Sequence, residues 1–386
     1  MEGRCDPKFQ RVADVFEENF MRHREVGAAV SIIVEGETVV DLWGGHSDLG
    51  KTKRWRKDTL SPVFSITKMA ATLCANILID RGLVRADDRI STYWPEFGQN
   101  GKSDITIAMV LNHSAGVPVI TRSLPEGSYG NWETIISLIE EQHPTAPPAQ
   151  QVCYHLATFG WILGELVQRV TGQKFTEFFQ QEVSRLLDVE FYIGLPETEW
   201  SRLCEIKFFN PKMVHEQTNL IENLLGGPDK PISIALLNNG NWHPTDPASL
   251  RAPQPSGGGV TTARSLAKLL APFAQDGHDN PILSRSRLDE IEHVSTRSET
   301  DDIFRVPVHY SQGFMRSMDN RLTHPGDGHS LCIGPRALGH CGWGGSICFA
   351  DPERNISFGY VMNRIGKGGL LNRRGQSLID AGYACT

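Results

Sequence analysis

The sequence predicts an α+β fold, an α/β sandwich in which an antiparallel sheet is flanked by N- and C-terminal helices and an all-helical lobe is inserted. Three observations carry that prediction. Near the start, VSIIVEGETVVDLWGG is rich in β-branched residues and breaks once, at Glu35-Gly36, the pattern of two strands joined by a tight turn. Near the end, ICFADPERNISFGYVMNR reads as a second hairpin, turning on Asp351-Pro352-Glu353-Arg354-Asn355 and continuing through Phe358, Tyr360 and Met362. Between these, residues 92–230 are helix-rich and interrupted by irregular loops, notably 121–130 and 141–151. Strand material therefore comes from both chain ends. The expected organisation is a single domain over 1–386, with a sheet lobe from about 1–91 and 231–386 and a helical lobe over about 92–230.

The elements follow in order. Phe9, Val12, Val15, Phe16 and Phe20 recur at helical spacing, so the first helix is amphipathic. Its early acidic residues and lack of a small-residue cleavage site distinguish it from a signal peptide. The basic stretch KTKRWRKD, residues 51–58, has no aromatic interleaving beyond Trp55 and reads as a solvated loop. A buried helix is expected from Ser65 to Asp80, closed by Arg81-Gly82. Residues 87–100 suggest a turn and a short helix, and Thr106 to Leu111 begin another helix, followed by His113. WILGELVQRVTG is helical, with Gly172 as its stop. Ser256-Gly257-Gly258-Gly259 lacks the Lys-Ser/Thr pair of a phosphate-binding loop. It feeds a helix capped by Thr261 or Thr262, with Leu266, Leu269 and Leu270 on the apolar face. FRVPVHYSQGFMR suggests a strand entering the sheet, and NRRGQSLIDAGYA a last helix packed beside the first.

Composition narrows the function. The 386 residues can bury a large core, and a formal charge of -7, from 38 basic against 45 acidic residues, argues against a nucleic-acid partner. The longest apolar helical run, MAATLCANILI, falls short of the roughly 20 residues a membrane span needs, so no membrane partner is expected. The eight cysteines are scattered, several inside apolar runs, and form no Cys-x-x-Cys pair. That usage fits free thiols in a reducing, cytoplasmic setting and gives no support to a structural zinc site.

The chemistry lies in three segments. Ser65-Ile66-Thr67-Lys68 places a hydroxyl and an amine one helical turn apart, on one face. A lysine whose ammonium is disfavoured by burial can take the serine proton and create a nucleophile. Alone, the spacing more commonly marks a capping serine with a surface lysine. The second segment, Gln151 to Gly160, puts Tyr154 on a loop just before a helix. In the third, Leu338 to Ser346, glycines at 342, 344 and 345 let backbone approach a ligand closely and offer an N–H to an oxyanion. His113 looks like a base at first sight. There is no Gly-x-Ser-x-Gly elbow around Ser65, and Lys68 already supplies a base, so His113 is read as a loop anchor bonding backbone.

Taken together, these segments resemble the serine β-lactamase and penicillin-binding-protein superfamily, in particular its class C-like branch and the family VIII carboxylesterases. Ser65 and Lys68 match the Ser-x-x-Lys element, Tyr154 the tyrosine of Tyr-x-Asn, and His340-Cys341-Gly342 the Lys-Thr-Gly element, which is His-x-Gly in esterase-like members. The resemblance extends to the N-terminal hairpin, to Leu111 through Gly116 and to the final helix, and implies a β-lactamase-like sheet. It departs where the asparagine would stand, at Leu156, and where His340 replaces lysine and Cys341 threonine. Those changes remove the amide and the cation that greet a β-lactam, and favour an ester substrate.

The resemblance implies a carboxylesterase-type serine hydrolase working through an acyl-serine, with weak β-lactam hydrolysis as a side activity. Ser65, Lys68 and Tyr154 would be catalytic, and the N–H groups of Ser65 and Trp343 would form the oxyanion hole. His340, Cys341, Gly342, Trp343 and His155 would bind or orient substrate. No cofactor or metal is required, the partner is a small-molecule ester, and the oligomeric state is left open. Alternatives are an acyltransferase, a β-lactamase or D-amino-acid peptidase of the same superfamily, and a catalytically silent scaffold.

Overall fold

Glu35 and Gly36 take φ of 52° and 83°, the two left-handed positions of a two-residue hairpin turn. They join β2 (Gly27–Val34) to β3 (Glu37–Gly45) in the computed structural model of this chain, which describes residues 1–208, 219–275 and 280–386. The C-terminal hairpin is formed by β11 (Ile347–Asp351) and β12 (Ile356–Met362). Strand β12 pairs antiparallel with β2, Tyr360 opposite Val30, so the two chain ends meet in the middle of one sheet.

That sheet has nine strands, in the order β1-β3-β2-β12-β11-β10-β9-β8-β7. The remaining strands are β1 (Glu2–Cys5), β7 (Thr296–Ser298), β8 (Val308–Ser311), β9 (Phe314–Arg316) and β10 (Leu338–Cys341). Two expectations are revised. FRVPVHYSQGFMR is not one strand but the β8–β9 hairpin, because Gln312 and Gly313, at φ of 48° and 94°, turn the chain back. Edge strand β1 was not expected at all, since its polar residues Glu2 to Cys5 carry no alternation of buried and exposed side chains.

Alternation along β12 builds the two faces of the sandwich. Ser357 and Gly359 face the helix Ala263–Ala274: the Ser357 hydroxyl bonds Ala267 O, and a Cβ on Gly359 would lie 2.2 Å from Ala263 O. Tyr360 faces the other side, where its hydroxyl donates to Glu25, which also pairs with Arg374 in a buried cluster. The terminal helices Gln10–Arg22 and Arg373–Tyr383 pack together there, Asn19 donating to Arg374 O at 3.1 Å. The helix after the glycine-rich segment is capped by Thr262, whose side chain accepts from Ser265 N.

A second, three-stranded sheet of β4 (Ser61–Phe64), β6 (Gly259–Thr261) and β5 (Phe191–Ile193) delivers the chain to Ser65. The segment after β4 starts as a 3-10 turn, Ser65–Thr67, and becomes α-helical from Lys68 to Asp80, where the expectation was one helix from Ser65. Gly82, at φ 67°, ends it. The helix Lys68–Asp80 packs against the helix Phe159–Thr171, which stops at Gly172 in the left-handed region. Trp55 of the basic stretch is buried, and its ring occupies the space a Cβ on Gly27 would need. Among the described residues no helix is long and apolar enough to cross a membrane.

Candidate active site

Ser65 sits at the end of β4, on a backbone bent by the residue before it. Phe64 holds φ 48° and ψ -126°, a conformation costly for an aromatic residue and kept only where surroundings enforce it. Those surroundings are visible. The Thr67 hydroxyl bonds Phe64 O and accepts from Gly259 N at 2.7 Å, and the Phe64 ring packs edge-on against Trp343 and Phe208.

Lys68 is completely buried, with Nζ 3.4 Å from the Ser65 hydroxyl. Its other contacts are two neutral carbonyls, Leu156 O at 3.0 Å and Ser256 O at 2.8 Å. Burial without a carboxylate partner pushes the amine down to about 7. The contact with Ser256 was not foreseen. The residue lies in the glycine-rich segment, which wraps around the Gln254 side chain: its Oε1 accepts from Ser256 N at 2.8 Å and Gly258 N at 3.1 Å. Ser256 Oγ in turn accepts from Gly160 N at 2.9 Å.

Tyr154 is brought to the same point from the helical region. Its ring centroid lies 4.9 Å from Lys68 Nζ, and its hydroxyl faces Ser65 and lies 3.3 Å from His340 Nε2. Burial holds the phenol well above its ordinary range, so it is a neutral O–H. His340 is likewise buried and pushed down to about 3, first by desolvation and then by Lys68, so it is a neutral imidazole and not a cationic handle. Its Nδ1 meets Cys341 O at 2.7 Å, leaving Nε2 for the tyrosine.

The other expected substrate contacts divide. Cys341 and Trp343 line the cavity above Ser65, whereas Gly342 and His340 stand behind its wall. Gly342 is needed for packing: a Cβ there would lie 2.3 Å from Val63 O. Its N–H bonds Ser346 O at 2.8 Å, closing the turn that carries Trp343. His155 is the correction. Its ring is fully buried, Nδ1 meeting Cys153 O at 2.7 Å and Nε2 accepting from Val117 N at 3.3 Å, so it braces the loop and is not among the residues lining the cavity over Ser65. His113 braces it too, its Nδ1 accepting from His155 N at 3.0 Å while its ring packs 4.7 Å from Tyr154.

The cavity over Ser65 holds about 410 Å3. Its far wall comes from the helices Asn219–Leu225 and Pro231–Leu237, through Leu220, Leu224, Ile232 and Leu236, with Phe208 and Phe304 alongside. Among the described residues lining it there is no lysine or arginine. The arrangement is a buried serine–lysine–tyrosine cluster opening on an apolar chamber, suited to acyl transfer at a neutral carbonyl.

The fold and this cluster define a serine acyl-transfer enzyme class, and the chain belongs to the beta-lactamase family, whose model matches residues 12–381. It is 29% identical over 380 residues to the Mycobacterium tuberculosis protein described as "Esterase/beta-lactamase LipL", covering 94% of this chain and 83% of that one. Among solved structures it resembles a family VIII carboxylesterase, at 31% identity and a TM-score of 0.84, over 100% of this chain and 99% of the other. It also resembles a penicillin-binding-protein homologue from Caulobacter crescentus, at 30% identity and a TM-score of 0.86, over 100% and 99% of the two chains.

Proposed function

We propose that this protein is a serine hydrolase that cleaves carboxylic esters through an acyl-serine, with Ser65, Lys68 and Tyr154 as its catalytic residues. The observation that carries the reading is the setting of Lys68: a buried amine 3.4 Å from the Ser65 hydroxyl, bonded to carbonyls and, among the described residues, to no carboxylate. Such an amine is a base near neutral pH.

In the first half-reaction Lys68 takes the Ser65 proton as the oxygen attacks the ester carbonyl. The N–H groups of Ser65 and Trp343 donate to the oxyanion. Tyr154, a neutral phenol, gives its proton to the departing alcohol while receiving the one held by Lys68, so it relays a proton without becoming a free phenolate. Water then attacks the acyl-serine by the same path reversed, releasing the acid and restoring Ser65. His340 orients the phenol through Nε2. The apolar chamber, with Trp343 and Cys341 on its wall, takes the hydrophobic part of a small ester.

The same features support a class C-like branch with at most weak β-lactam hydrolysis, because Leu156 and a neutral His340 offer no amide or cation to a β-lactam carboxylate. All eight cysteines are unpaired, which supports a cytoplasmic site of action, tested by fractionation. The function is tested with Ser65→Ala, expected to retain the melting temperature while losing both ester turnover and labelling by a fluorophosphonate. Labelling retained at another residue overturns the assignment.

A further inference from the structure

Asp301 is fully buried, yet among the described residues no lysine or arginine touches its carboxylate. Three backbone N–H groups hold it instead. Oδ1 accepts from Ile303 at 2.8 Å and Phe304 at 3.0 Å, and Oδ2 accepts from Tyr154 at 2.7 Å. The first pair is an ordinary local turn, an aspartate bonding the N–H groups two and three residues on. An asparagine would serve it equally well. The third bond crosses 147 residues of sequence to the proton-relay tyrosine, and only a carboxylate offers a second acceptor oxygen there. Burying a carboxyl group without a cation is costly, burial pushing this one up to about 7, and its use here needs a reason beyond closing a turn.

The reason lies in what the two oxygens hold. Ile303 and Phe304 line the cavity, and the Phe304 ring packs 4.9 Å from the ring of Tyr154. One carboxylate therefore ties the relay tyrosine to the wall that the substrate touches. We propose that Asp301 is a positioning residue for the ester-cleaving reaction, fixing the Tyr154 backbone against the Ile303–Phe304 wall so that the phenol stays on the Ser65 hydroxyl. This rests on the reading of Tyr154 given above. The groups facing the Asp301 carboxylate from the packed elements are Asp302, Cys153, Tyr154 and Tyr310, none of them cationic, and among the bonds that hold this loop the one from Asp301 is made to the Tyr154 N–H itself.

Asp301→Asn is the informative variant. Its one carbonyl oxygen can keep the 303–304 turn, which turns its NH2 toward the Tyr154 N–H, donor against donor. We expect kcat for p-nitrophenyl butyrate to fall about 10–100-fold, the scale for a displaced catalytic group, with KM changed less than about threefold. In the Tyr154→Phe background the same substitution should cost less than about threefold, because the group it positions is already gone. Full multiplication of the two losses, or an Asp301→Asn enzyme within twofold of wild type, overturns the proposal. Should the variant not fold, hydrogen exchange on the unmodified enzyme decides: the Tyr154 amide must exchange at least about 100-fold slower than its loop neighbours Gln150 and Gln151, and exchange at their rate overturns the proposal. A fully active Tyr154→Phe enzyme would instead remove the reading of Tyr154 while leaving the slow-exchanging amide as evidence of the tether.

Discussion

Raising or lowering pH acts on Lys68 more directly than any mutation. Displacing a lysine from 10.5 to about 7 corresponds to a preference of about 5 kcal/mol for the neutral amine in the folded protein. At pH 7 roughly half the molecules then hold a ready base, against about three in ten thousand for an ordinary lysine. The expected profile of kcat/KM for a small activated ester rises tenfold per pH unit up to about 7 and levels off above it. Fluorophosphonate labelling of Ser65 should follow the same limb, since both need the amine free. Stability carries an independent copy of this information. Below about 7 both folded and unfolded chains hold the proton and the burial penalty is complete; between about 7 and 10.5 only the unfolded chain does, so stability rises with pH through that window. Denaturant melts at several pH values, compared with Lys68→Met, isolate the effect: the wild type should gain on the variant by several kcal/mol between pH 7 and 10. An acid limb near pH 9 or higher, or parallel stability curves for the two proteins, would refute a neutral Lys68.

Tyr154→Phe keeps the ring packing and loses the relay, so turnover should fall about 10²–10⁴-fold in steady-state assays, and unchanged turnover removes the phenol from the mechanism. Gly342→Ala puts a methyl 2.3 Å from Val63 O and 2.4 Å from Ser346 Oγ, and the backbone contact is relieved by a shift of the Trp343 turn or of the strand leading to Ser65. A displacement of about 1 Å there should cost roughly 100-fold in kcat, with a calorimetric loss of about 1–3 kcal/mol. With no lysine or arginine among the described residues lining the chamber, kcat/KM for an uncharged ester should exceed that for a cephalosporin by at least about 100-fold, and equal efficiencies in a spectrophotometric panel would contradict it.

How much of this was readable before folding depends on how far each interaction reaches along the chain. Ser65 and Lys68 are three residues apart on one turn, and the Glu35-Gly36 hairpin is set by two adjacent residues, so local spacing exposes both. Tyr154, His340 and the Trp343 turn were placed by resemblance to a family motif, since nothing in their own neighbourhoods shows that they converge. His155 illustrates the limit. Adjacent to Tyr154 in sequence, it was expected to meet substrate, but the loop is irregular and its alternation follows no helical or strand period. Its ring turns inward to bond Cys153 O and Val117 N. The contacts that give the lysine its character were equally hidden. Ser256 O stands 188 residues from Lys68, and a backbone carbonyl has no sequence signature, because every residue carries one. What distinguishes this carbonyl is that Gln254 folds three glycine-rich residues around its own amide and aims it inward. The proposed base is therefore written in the sequence as a residue type, but its lowered pKa is a property of the tertiary fold: any change that admits a carboxylate or water to the Leu156–Ser256 pair should restore an ordinary, protonated lysine and silence Ser65 without touching either residue.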